Sequence, residues 1–193
     1  PSKIFKKVKH KTTMLSLSNA FSEEDLINFE KKILNFLNNE PGLNIEYSAE
    51  PKIDGISASL FFKNGKFVTG LSRGDGKEGE DITENLKTIK DIPHEIIKKD
   101  FPKEIDIRGE VFIQNSDFKK LINKFANPRN AASGSLRQKD SKETQKIPLK
   151  FIAYAFGYEK GLRVSSQEDY LKKLKEWGFK TNPLNKTIKT IDD

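Results

Sequence analysis

A lysine stands between two acids in the stretch Glu50-Pro51-Lys52-Ile53-Asp54-Gly55. Pro51 favours extended backbone for the residue before it, and residues i and i+2 of a strand share a face, so Glu50, Lys52 and Asp54 are expected to point the same way. One amine between two carboxylates suits a nucleophilic lysine in a pocket, with Gly55 letting the backbone turn or a ligand come close. The same residues could make a solvent-exposed strand face of alternating charge. Two further constellations suit phosphate and ribose. Arg108 and Glu110 flank Gly109, on the face opposite Ile105, Ile107, Val111 and Ile113; they could hold a ribose and a phosphate or pair with each other. The run from Ala126 to Gln138 is rich in small residues and carries Arg129 and Arg137. A ligand could approach it while the guanidiniums reach phosphates, or it is an ordinary capped helix.

Elements of both kinds must position these groups. Ser22 followed by Glu23, Glu24 and Asp25 reads as a helix start, and Leu26, Phe29, Ile33, Phe36 and Leu37 recur at helical spacing. That helix is expected to pack one face on a core until Pro41-Gly42 stops it, with Met14 to Phe21 before it as a buried connector. Ile56, Ala58, Leu60 and Phe62 mark a half-buried strand, Asn64-Gly65 a tight hairpin, and Lys66 to about Arg73 the return strand. Lys52 then lies at the head of an antiparallel sheet. Helical signals follow from Thr83 to Lys90, then a strand from Glu104 to Ile113 and a short helix from Ser116 or Asp117 to about Phe125. Another strand runs from Leu149 to Tyr158 and an amphipathic helix from Ser166 to Trp177. The pattern is α+β, antiparallel β-sheets flanked by helices.

Gly74-Asp75-Gly76-Lys77-Glu78-Gly79 has the spacing of a dinucleotide-binding loop. The preceding strand closes a hairpin rather than a parallel crossover, and Asp75, Glu78, Glu80 and Asp81 crowd the place a pyrophosphate needs, so that assignment is set aside. Arg73-Gly74-Asp75, a cell-adhesion tripeptide elsewhere, is a coincidence. The 193 residues suffice for a sizeable core, and 14 Phe among 33% charged residues suggest one compact domain with wet edges. No cysteine and only His10 and His94 exclude thiolate sites and make a histidine metal cluster a poor expectation. No apolar run has the length of a membrane span. The net charge of +7 suits a polyanionic partner or plain solubility. Lys3, Lys6, Lys7, Lys9 and Lys11 open the chain without an acid, as an arm for phosphates or as a linker from something upstream.

Several separate stretches, in order, resemble the adenylation domain of bacterial NAD-dependent DNA ligases. They are Met14 to Leu17 with Asn19-Ala20-Phe21, Glu50 to Gly55, Ser72 to Gly76 through Gly79 to Thr83, Arg108 to Phe112, and Phe125 to Gln138. The resemblance implies the nucleotidyltransferase fold shared by DNA ligases and mRNA capping enzymes, and it spans roughly residues 10 to 180. It implies that Lys52 attacks the α-phosphorus of NAD, expels nicotinamide mononucleotide and carries AMP, which passes to the 5′-phosphate of nicked double-stranded DNA. An isolated lysine of pKa about 10.4 is neutral in roughly one molecule in 2,500 at pH 7, and neighbouring acids oppose its deprotonation, so nearby cations, desolvation or a metal are expected to assist.

By the same resemblance Glu50 reads the adenine edge, Ser16 and Leu17 line the cofactor site, Arg73 approaches the nucleotide, Glu110 holds the ribose and Tyr154 stacks on adenine. Arg129 and Arg137 face the nick phosphate, and Asp54 supports catalysis. Mg2+ offsets phosphate charge without a dedicated protein site, and zinc belongs to a later portion of the family's chain. The expected partners are NAD and nicked DNA and not a membrane, with the protein a cytoplasmic monomer. Residues 1–13 are expected as a basic linker from a mononucleotide-recognising portion, and 14–180 as a core lacking its C-terminal motifs. Ser18 stands where the family usually has an Asp. An ATP-dependent relative and a non-catalytic nucleic-acid-binding module are the alternatives.

Overall fold

The computed structural model describes residues 5–38, 45–121 and 125–191. These divide into two compact units, Pro1–Met14 with Lys52–Asn182, and Leu15–Pro51 with Pro183–Asp193.

The first unit is built on a four-stranded antiparallel sheet ordered β4-β3-β6-β7, where β3 is Ile56–Lys63, β4 Lys66–Ser72, β6 Glu104–Ile113 and β7 Leu149–Lys160. Asn64 and Gly65 join β3 to β4 with φ of 50° and 76°, the positive pair that a two-residue turn matching strand twist requires. Register then decides which side chains meet. Ser57 lies opposite Glu110, and Arg108 and Gly109 lie opposite Ala155 and Ala153, so that Tyr154 is the extra residue of a bulge. A bulge re-aims the side chain it carries.

Helices close over this sheet. α4 (Pro128–Leu136) packs on β6 and β3, α2 (Thr83–Leu86) on β4, and α6 (Gln167–Glu176) on β7. Asn127 caps α4 by accepting the Asn130 amide, with Pro128 in its first turn, and Ser166 caps α6. α5 (Ser141–Gln145) and α4 are tied through buried Asn85, whose amide donates to the Gln138 carbonyl at 2.9 Å and to Thr144 Oγ1 at 2.8 Å. Phe62, fully buried, is an aromatic hub with ring centroids of Phe67, Phe101 and Phe179 within 5.4–5.8 Å.

The second unit holds α1 (Glu23–Phe36) and a two-stranded antiparallel ladder of β2 (Tyr47–Ala49) and β8 (Lys186–Ile188). Ser22 and Asp25 form a complete capping box. The Tyr47 hydroxyl donates to Glu30 at 2.6 Å, joining strand to helix, and burial with that carboxylate pushes its pKa up to about 12.

Several expectations need correction. No residue of α1 is fully buried, and of the connector only Met14 is, Leu15, Leu17 and Phe21 being exposed. Residues 50–54 are not in a strand; Pro51 lacks the amide a ladder would use. Thr83 to Lys90 shrinks to the single turn of α2, and the next short helix, α3, is Asn115–Phe118. Of its expected continuation, residues 122–124 lie outside the described residues, as do the stop at Pro41-Gly42 and Lys3. The basic start is not a loose arm where described: β1 (Lys7–Lys9) pairs with β5 (Glu78–Glu80), and Lys11 pairs with Glu104 and sits over the Phe61 ring. The 74–79 loop therefore leads into an antiparallel pair, with Asp75 accepting the Lys77 and Glu78 amides.

Truncating the hub tests this core. Phe62→Ala should cost about 3–5 kcal/mol, read as a lower urea midpoint at unchanged m-value.

Candidate active site

Lys52, Asp54, Arg73, Glu110, Arg129 and Arg137 line one cavity of about 280 Å3 in the first unit, together with Ser57 and Glu80. They come from four parts of the scaffold. Lys52 and Asp54 lie on the segment entering β3, and Glu110 stands mid-way along β6. Arg73 opens the loop after β4, and α4 presents Arg129 in its first turn and Arg137 at its C-cap. Gly55 is required by β6 rather than by a ligand: a Cβ there would stand 2.3 Å from the Val111 carbonyl oxygen.

Glu110 is only 7% exposed. The Ser57 hydroxyl donates to its Oε2 at 3.0 Å, and the Tyr154 hydroxyl approaches the same oxygen at 3.5 Å and Ser57 Oγ at 3.4 Å. Burial pushes the Glu110 carboxyl above its ordinary 4.5, while the Ser57 hydroxyl, the Lys52 and Arg129 charges and the Gly55 amide pull it part of the way back. Burial likewise raises Tyr154, and the Glu110 charge adds to the rise. Gln167 donates to the Tyr154 carbonyl at 2.8 Å, satisfying backbone freed at the bulge.

Two of the three arginines are held by acids. Arg129 Nη1 stands 3.6 Å from Asp54 Oδ1, and Arg137 Nε stands 2.9 Å from Glu80 Oε2. Arg108 and Glu110 do not pair with each other; Arg108 donates to the Thr12 and Thr13 carbonyls instead. Ser16, Leu17 and Glu50 belong to the second unit, where Ser48 Oγ donates to Glu50 Oε1 at 2.9 Å. Among the described residues no group of three or more His, Asp or Glu side chains gathers to hold a metal ion. None of their helices is long and apolar enough to cross a membrane.

The model of the NAD-dependent DNA ligase adenylation domain matches residues 2–193. The chain belongs to that family. It is 71% identical over 188 residues to a DNA ligase of Pelagibacter ubique, which covers 97% of the chain and 28% of the relative. It is 47% identical to a DNA ligase of Parvibaculum lavamentivorans, over the whole chain and 28% of the relative. For a DNA ligase of Xanthobacter autotrophicus the identity is 46%, over 95% of the chain and 27% of the relative. The chain thus spans a little over a quarter of the length of these relatives. Family membership accords with the α+β architecture of antiparallel sheets and helices. Ser57 and Glu80 line the cavity as well, though nothing in their local sequence assigns them to it. The signal for Ser57 was the polar alternation in Ile56–Phe62, but its partner is 53 positions away and appears only with the register.

The raised pKa of Glu110 has a definite sign. The folded protein binds this proton more tightly than the unfolded chain, so stability is lost as pH rises from about 4.5 through the raised value and is level above it. Glu110→Gln should abolish that loss: its thermal midpoint should match wild type near pH 4 and exceed it at pH 7.

Proposed function

We propose that this chain carries the lysyl-adenylation centre of an NAD-dependent DNA ligase acting in replication and repair. Lys52 Nζ attacks the α-phosphorus of NAD. As the N–P bond forms, the P–O bond to the mononucleotide half breaks, nicotinamide mononucleotide leaves with the electron pair, and the amine gives up its proton. AMP stays on Lys52 as a phosphoramidate, passes to the 5′-phosphate of a nick, and is displaced there by the 3′-hydroxyl.

The observation that carries this reading is the convergence of an exposed lysine with Arg73, Arg129, Arg137 and a buried Glu110 in one cavity. Guanidiniums bind phosphate in a planar fork, and the Arg129–Asp54 pair, exposed on both sides, is worth about 0–1 kcal/mol and is readily exchanged for a dianion. Glu110, its Oε2 already held by Ser57, presents its other oxygen as an acceptor for a ribose hydroxyl. Tyr154 beside it supplies a ring for the base. Asp54 supports the chemistry by holding Arg129 next to the nucleophile. The family resemblance gives Glu50 the adenine edge, and Ser16 and Leu17 the lining of the cofactor site. Magnesium would arrive on the substrate phosphates, resting on at most one or two carboxylates such as Asp54 and offsetting phosphate charge. The reading has the protein work as a monomer in the bacterial cytoplasm.

The test uses a protein of the relatives' full length carrying this chain, incubated with magnesium and either NAD or ATP and weighed intact. AMP should be added from NAD with release of nicotinamide mononucleotide, and not from ATP; addition from ATP alone would contradict the reading. Lys52→Ala should lose the adduct while changing stability by no more than about 0.5 kcal/mol, since Lys52 is exposed.

A second measurement addresses DNA. Arg137→Ala should weaken nicked-duplex binding and reduce the slope of log affinity against log salt by about one.

A further inference from the structure

Arg73 is held by residues from the start of the chain. β1 runs against β5 with Lys9 opposite Glu78, and the pairing continues past the strand. The His10 amide donates to the Lys77 carbonyl at 2.8 Å, and the Met14 amide to the Gly76 carbonyl at 2.9 Å. Segment 10–14 is thus laid along the loop that follows Arg73. The segment is itself anchored on β6, where Arg108 Nη1 donates to the Thr13 carbonyl at 3.2 Å and Nη2 to that of Thr12.

Both ends of this segment bear on Arg73. Its carbonyl accepts the Gly76 amide at 3.0 Å and faces His10 Nε2 at 3.1 Å, while its Nε makes a long contact of 3.5 Å with the Met14 carbonyl. A carbonyl can only accept, so Nε2 carries the proton. Nδ1 is buried and without a hydrogen-bond partner, on a side chain 6% exposed. The ring has room because residue 79 is glycine: a Cβ there would stand 3.0 Å from His10 Nε2. An apolar side chain could fill the space without burying an unpaired polar atom, which costs stability. What the histidine adds is its hydrogen bond to Arg73.

We infer that His10 is a positioning residue for Arg73, fixing through the Arg73 carbonyl where the guanidinium stands when a nucleotide phosphate enters the cavity. This rests on the adenylation reading of that cavity. Segment 10–14 is then part of the site's scaffold, although none of its side chains lines the cavity.

The test measures kcat and KM for lysine adenylation by NAD in the protein of the relatives' full length, with thermal midpoints alongside. His10→Leu fills the space without the hydrogen bond; His10→Gln keeps a donor at the position of Nε2. His10→Leu should lower kcat/KM roughly tenfold or more at an unreduced midpoint, and His10→Gln should restore most of it. In an Arg73→Ala background His10→Leu should cost nothing further, because the effect runs through Arg73. Undiminished activity of His10→Leu, or the same loss in both backgrounds, would overturn the inference while leaving the adenylation reading intact. Absence of any adenylate on the wild-type protein would overturn both.

Discussion

An acid is buried where three strands meet, and the geometry of the cavity follows from keeping it there. Glu110 sits on β6 opposite Ser57 of β3, with Tyr154 delivered by a bulge in β7. A carboxylate taken from water needs hydrogen bonds and opposite charge to remain ionised. Ser57 and the Gly55 amide supply the first, Lys52 and Arg129 the second. The segment carrying Lys52 and the helix carrying Arg129 are therefore coupled to the sheet by charge as well as by packing. Gly55 has to be glycine so that this segment can lie against the Val111 carbonyl.

Around that fixed acid the remaining charges are exchangeable. Asp54 and Arg129 make a solvent-exposed pair, of a kind that contributes little to stability, and Arg137 reaches from solvent to the half-buried Glu80. A phosphate offers each guanidinium a better bidentate partner. The contrast between a buried, hydrogen-bonded Glu110 and loosely paired arginines is what a site needs if it must hold a ribose in one place while phosphates come and go. Arg73 differs from the other two arginines, its main chain being gripped by the segment that Arg108 holds down.

What the sequence made legible was local. Asn64-Gly65 named its turn because both residues tolerate positive φ, and Ser22 with Asp25 named a helix start because the capping box closes within one turn. The order of the strands' apolar alternation likewise pointed to antiparallel sheets. Burial was not legible in the same way: the helical periodicity of Leu26, Phe29 and Ile33 marks an apolar face without saying what covers it, and among the described residues none of that face is fully buried. Nor was the sheet entry at Lys52, where Pro51 withholds the amide that strand pairing would need. The nearness of Arg108 and Glu110 in sequence suggests a mutual pair or a shared ribose and phosphate site, whereas the acceptors of Arg108 lie some 95 residues away. Ser57 and His10 were invisible for the same reason, since each acts through a contact that only register or strand pairing creates.

Locating the adenylate tests the account most directly. The full-length protein, treated with NAD and magnesium, would be digested at neutral or alkaline pH, which preserves a phosphoramidate, and its peptides sequenced by tandem mass spectrometry. The account predicts AMP on Lys52 alone, the lysine that shares its cavity with Glu110 and the three arginines. AMP on any other lysine, with Lys52 unmodified, would contradict it.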